Sequence, residues 1–299
     1  MGRRPFCSLQ LLTGVLCLLL SAGGCSQDGF EDLPDGDAGE PDGGGVDGWG
    51  DLDPGDELWP EDWNADVDVT ADFSGTYASL QINSYYSVVP MVGDVQYRNV
   101  AFCRVSISQQ GAQLTVDTEI CSLESESDTE LVQTVFPDAF VRSLPVIRRP
   151  AAVMPGADGY RFFVPRFYEV RGVELADPEQ DPLPTDPTDS RIQDPDGDNN
   201  PGLTVRITGI VDGEVYVIQR TWSVMDGQAA EAGEIQAISG LIAWGDEQVV
   251  LGSDNPVLES PRESYIDPVP ENSHFDFKRI EAGKSCADII AERDVLFPP

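Results

Sequence analysis

The chain has 299 residues, with 18 Lys+Arg against 53 Asp+Glu, a formal net charge of −35 and one histidine. A polyanion of this kind repels nucleic acid phosphates and anionic lipid headgroups, so neither is held by charge. A single histidine, His274, excludes a zinc site built on two or three His, and any Ser-His or Cys-His catalysis would have to use it. No Gly-x-Ser-x-Gly elbow, no phosphate loop and no Gly-x-Gly-x-x-Gly opening a helix is present.

In chain order, Arg3 and Arg4 precede a short apolar run over 9–20, followed by Ser21-Ala22-Gly23-Gly24 and then Cys25. The run is too short to span a bilayer and has the layout of a cleaved signal peptide over 1–24. Small residues before a cysteine resemble the bacterial lipobox, with Ala22 where Leu is usual. The resemblance implies that Cys25 is lipidated, becomes the mature N-terminus and anchors the protein to a membrane of the cell envelope. Ser26 in place of an inner-membrane retention Asp favours the outer membrane. Residues 25–72 form an acidic tether of Asp, Glu, Gly and Pro with no Lys or Arg after Cys25. Such a segment buries too little apolar area to offset an ordering cost of about 1–2 kcal/mol per residue, so it is expected to be disordered. Trp49, Trp59 and Trp63 in it are candidates for contact with the folded domain or a partner, and their spacing does not choose among them.

From residue 73 to 299 short β-rich runs alternate with turn residues, and helical periodicity is scarce. Strands are expected at 73–82, 95–108, 113–122, 131–136, 160–164, 166–175, 203–211, 214–224, 234–244, 248–251 and 274–280, with one short helix at 285–293. Asp212-Gly213 predicts a two-residue hairpin turn, and Gln110-Gly111 a second hairpin. On the strand after Asp212-Gly213, Tyr216, Ile218, Trp222 and Val224 share a face that Arg220 interrupts. About ten short strands over roughly 220 residues predict an all-β fold. An antiparallel up-and-down β-barrel is preferred, with a β-sandwich as the alternative. Phe73-Ser74-Gly75-Thr76-Tyr77 resembles the opening Gly-x-Trp strand of the lipocalin-like (calycin) superfamily, with Tyr77 in place of Trp. The resemblance implies that Arg279, late in the barrel, covers Tyr77.

A second acidic stretch, 176–202, interrupts the strands and ends Asp194-Pro195-Asp196-Gly197-Asp198-Asn199-Asn200-Pro201-Gly202. Carboxylates at alternate positions of a tight loop converge on a point, and calcium takes 6–8 oxygens at about 2.3–2.6 Å. The spacing resembles EF-hand and thrombospondin type-3 loops. By position, Asp194, Asp196 and Asp198 would give side-chain oxygens and Asn200 a carbonyl to bound calcium. The usual twelfth-position Glu is Val205, so a further ligand is needed, with Asp186 and Asp189 as candidates.

Of the cysteines, Cys103 and Cys121 are the natural disulfide pair on neighbouring strands. Cys286 is then odd, and its pairing with either of the other two stays open. Without Cys-x-x-Cys no redox role is expected. These features lead to a lipid-anchored envelope protein with a non-enzymatic β domain, stabilised by calcium and binding a small apolar ligand or an envelope protein. Two alternatives remain. One is a paired-carboxylate hydrolase acting on glycans, with Trp222 or Trp244 as stacking aromatics. The other is a calcium-dependent adhesion module that projects the 176–202 loop.

Overall fold

The computed structural model describes residues 59–60, 63–89, 92–157, 159–230, 233–260 and 263–298. The expected signal peptide, the expected lipid-bearing Cys25 and most of the expected tether lie outside them. The strands are β1 (Gly75–Val89), β2 (Gly93–Gln110), β3 (Gln113–Ser127), β4 (Val132–Val135), β5 (Ile147–Gly156), β6 (Gly159–Arg171), β7 (Leu203–Gly209), β8 (Gly213–Ala229), β9 (Ala237–Ser253), β10 (Ser264–Ile266) and β11 (His274–Ile280). Two α-helices accompany them, α1 (Asp138–Ser143) and α2 (Cys286–Leu296). The fold is all-β, and every ladder between these strands is antiparallel.

Eight strands run β1-β2-β3-β5-β6-β8-β9-β11 and back to β1, each paired with the next in chain order. This up-and-down ring closes only at one end. Further along, β11 stops pairing with β9 at Leu241↔His274, and β5 leaves β6 beyond Ala152↔Phe163. There the long strands continue as two sheets, β10-β1-β2-β3 and β4-β7-β8-β9, which share an apolar cluster including Tyr97, Val89, Leu203 and Val217. The protein is therefore a ring at one end and a sandwich at the other.

Strand alternation puts Tyr77, Val105, Val153, Phe162, Ile238 and Phe275 inside the ring end, all with zero exposure. A side chain with no exposure touches no water-sized space, so this end is packed solid. Each such aromatic contributes about 1.5–3 kcal/mol of burial. The chain entering the ring plugs it: Phe73 is buried, its N–H donates to Gln109 Oε1 at 2.7 Å, and Gln109 Nε2 donates to Ala71 O at 3.0 Å. Arg279 lies over Tyr77 as the sequence predicted, 5.0 Å from the ring centroid, and donates to Tyr77 Oη at 2.9 Å. It also donates to the carbonyls of Ser74 (2.7 Å), Asp72 (3.0 Å) and Ile235 (2.5 Å). Gly75 leaves room for it, since a Cβ there would sit 2.2 Å from Nη1.

Four sequence expectations are corrected. Cys103 and Cys121 are not bonded; the disulfide joins Cys121 to Cys286 and Cys103 is free. The β2–β3 register jumps from Phe102↔Ser122 to Cys103↔Ile120, so Cys121 is the extra residue of a bulge. Its thiol faces outward to α2, while Cys103 faces the core at 1% exposure. The strands at 160–164 and 166–175 are one strand with a bulge after Val164, and 234–244 and 248–251 merge into β9. Asp212-Gly213 is no two-residue turn. Ile207 already pairs with Gly213, and Thr208 and Gly209 turn instead to β4. Finally, β5 and α1 were not expected. Pro150, Pro155 and Arg148-Arg149 mask the alternation of β5, whose Pro150 lies where only β3 is a neighbour.

Candidate metal loop and polar interior

The 172–202 connection between β6 and β7 lies on the outer face of β8 and β9. Leu183 and Val173 bury themselves against Ile218 and Leu251. Arg220, the charge that broke the apolar face of its strand, holds the loop. Its Nη1 donates to the carbonyls of Pro178 (3.2 Å), Glu179 (2.9 Å) and Asp181 (2.9 Å), and its Nη2 pairs with Glu247.

At the loop's end the carboxylates of Asp194, Asp196 and Asp198 converge, with one oxygen of each within 4.8 Å of the others. Left-handed residues at Gly197 and Asn199, with φ of 75° and 70°, curl the backbone around Asp194. Asp194 accepts N–H groups from Gly197 (2.7 Å), Asp198 (3.1 Å) and Asn199 (2.8 Å). Asp196 Oδ2 accepts the N–H of Thr204 at 2.9 Å, on the first turn of β7, while its Oδ1 is buried with no donor. Burial, aided by the charges of Asp198 and Asp194, pushes the Asp196 carboxyl up. Burial also pushes on Asp198, but hydrogen bonds from Thr204 and Asn200 outweigh it and hold that carboxyl below the usual range. An orphaned buried oxygen among three carboxylates fits a hard divalent cation. Asn200 donates its side-chain amide to Asp198 at 3.1 Å, which leaves its carbonyl oxygens open. Asp186 and Asp189 are engaged locally, with Thr188 at 2.7 Å and with Arg191 at 2.9 Å, and do not join the cluster. Thr204, which ties the cluster to β7, carried no motif signal.

A second constellation lies inside the fold, where the ring opens into the sandwich. In register, Asn83↔Asn99↔Ser125 form a row on the inner face of β1, β2 and β3. Asn83 Oδ1, Asn99 Oδ1 and Ser125 Oγ are all buried with no hydrogen-bond partner. On the other wall, Glu169, Arg171, Gln219, Thr221 and Asp246 share the inner face with the core residues Met225, Ile242 and Trp244. They are linked in series: Arg171 Nε to Glu169 at 2.6 Å, Arg171 Nη1 to Gln219 Oε1 at 3.3 Å, and Gln219 Nε2 to Asp246 Oδ2 at 3.2 Å. Arg149 closes the corner, buried beneath the β6 bulge, donating to Pro165 O and Ser223 O and held well below its ordinary pKa, at about 10, by burial.

Asp246 is exposed by surface area, yet burial among protein raises its carboxyl. Both statements hold if it faces a solvent space enclosed by the two walls. Glu169 and Arg171 keep 16% and 15% side-chain exposure although they face inward. The upper part of β6 and the upper part of β3 have no strand between them among the described residues, since β5 pairs with β3 only from Gln113 to Thr118 and with β6 only from Gly159 to Phe163. There β4 and α1 lie against β3 instead, with Phe140 buried.

Glu169 is held by Arg171, Trp222 faces outward beneath Arg166 (4.6 Å), and Trp244 donates its indole N–H to Ser273 Oγ at 3.1 Å. Cys103 lies in the core, and burial pushes its thiol up to about 12, the wrong direction for a nucleophile. The chain matches no family model, no curated protein and no solved structure.

Proposed function

We propose that this is an exported protein, anchored to an envelope membrane through lipidated Cys25, whose β domain binds a small polar molecule in the belt where ring meets sandwich. One observation carries the reading. Inward Glu169, Arg171 and Asp246 keep contact with solvent, and on the inner face of the other wall three buried polar atoms, Asn83 Oδ1, Asn99 Oδ1 and Ser125 Oγ, have no partner. Buried polar atoms without partners cost about 1–3 kcal/mol each, and a ligand or ordered water would recover that. The lining changes the expected ligand from apolar to polar. A lining with Glu169, Arg171 and Asp246 matches a zwitterion. Calcium at Asp194, Asp196 and Asp198 serves as a staple between the loop and β7. The adhesion reading has less support, because Leu183 and the Arg220 contacts hold the loop against the wall. Among the described residues no helix is long and apolar enough to cross a membrane.

The anchor is tested by Cys25→Ser, which releases the protein from the membrane fraction; a variant that stays there sinks the anchor. The binding site is tested by thermal denaturation against free amino acids and dipeptides. At least one raises the melting temperature of the wild-type chain but not of Glu169→Gln. Equal shifts in both, or no shift with any probe, sink the belt as a ligand site.

A further inference from the structure

A separate groove lies on the outside of the ring. It has a volume of about 630 Å³ and lies between the outer face of the β2–β3 hairpin and the tryptophans Trp59 and Trp63. That volume falls within the range of roughly 300–1,000 Å³ typical of small-ligand sites. Its wall is Trp63 and Trp59, stacked at 4.7 Å with 19° between planes. They are fixed by packing on Met154 and Phe163, an apolar patch on the outer face of the ring. The floor is polar. Register places Ser108 opposite Thr115 and Gln110 opposite Gln113, and these four side chains line the groove.

In a chain with a net charge of −35, none of the side chains lining the groove among the described residues is charged. Gln110 and Gln113 are exposed amides, each offering both donors and an acceptor. The Trp63 indole N–H is buried with no acceptor among the described residues. Indole surface beside amides and hydroxyls, without charge, suits a ligand that has apolar C–H faces and a rim of hydroxyls. We propose that this groove binds a neutral oligosaccharide. Hydroxyls act as both donor and acceptor, as the amides do. The prolines of a proline-rich peptide bring carbonyl acceptors without N–H donors and so use fewer of the acceptor oxygens of the floor. An anionic glycan would meet the field of the whole chain.

The test is titration of the full mature chain, carrying Cys25→Ser for solubility, with chitotetraose, cellotetraose and maltotetraose, read by tryptophan fluorescence and calorimetry. At least one binds with a Kd of about 1 mM or tighter. Trp63→Ala weakens it about tenfold or more. Because Trp63 also covers Phe163, the double variant Gln110→Ala/Gln113→Ala is the stricter arm: both side chains are exposed on a hairpin end. It weakens binding about tenfold at an unchanged melting temperature. Failure of all three sugars to bind, unaltered affinity in the double variant, or binding of a proline-rich peptide in their place overturns the proposal.

Discussion

Calcium should raise the melting temperature, and Asp196→Asn should abolish the effect while melting above wild type in chelator. The three carboxylates meet only because Thr204 of β7 donates its N–H to Asp196 and its hydroxyl to Asp198. The unfolded chain has no such geometry, so the ion binds the native state. At free calcium a hundredfold above Kd this adds about 2.7 kcal/mol. At about 2–4 °C per kcal/mol for a domain of this size, the melting temperature rises about 5–11 °C. In chelator, Asp196→Asn removes a carboxylate that burial and two neighbouring charges disfavour, so the variant melts above wild type there and ignores calcium. The Asp196 carboxyl is raised in the folded state. Protons therefore compete with the ion, and the calcium increment shrinks as pH falls through that raised value. Differential scanning calorimetry in millimolar calcium and in chelator reads all three effects. An unchanged wild-type curve, or an equal calcium response in Asp196→Asn, refutes the reasoning.

The disulfide closes a separation of 165 residues, for which chain entropy allows up to about 5 kcal/mol and typical bridges give about 2–4 kcal/mol. Cys286→Ser should lower the melting temperature by about 4–16 °C at about 2–4 °C per kcal/mol and expose α2 to proteolysis. Non-reducing peptide mapping should link Cys121 to Cys286 and leave Cys103 free; a Cys103–Cys121 peptide would contradict the register. Asp246 tests the interior by its pH dependence. Its folded carboxyl is raised above an unfolded value of about 3.9. Stability is therefore lost as pH rises from that value through the folded one. Asp246→Asn should melt above wild type at pH 7 and level with it near pH 3. A variant no more stable than wild type at pH 7 would contradict this: equal stability would place Asp246 in ordinary solvent, and lower stability would show its carboxylate favoured by the fold.

The all-β fold was legible because apolar residues alternate through β1, β2, β3 and β8, and because few segments carry helical periodicity. The cover of Tyr77 by Arg279 was legible from the two ends of the domain. The disulfide was not, because a single bulge residue reverses the face of Cys121 and periodicity alone carries no register. The strand β5 was hidden by Pro150, Pro155 and two arginines, one of which, Arg149, is buried for its hydrogen bonds and not for its hydrophobicity. The Asp triad showed itself as a motif, whereas its tie to Thr204 depends on where β7 begins. The polar belt gave no sequence signal. Asn83, Asn99, Glu169 and Asp246 are scattered over 164 positions by number and meet only when the ring closes. Arg220 read as an interruption of an apolar face and proved to be the residue that holds the loop.

The central claim is that the domain encloses a wet, polar space between two walls. High-resolution diffraction from crystals of the mature chain tests it most directly. The account predicts ordered water or a small molecule bridging Asn83, Asn99 and Ser125 to Glu169 and Asp246. Direct packing of those two walls against each other, with no density between them and their polar atoms bonded across the gap, would contradict it.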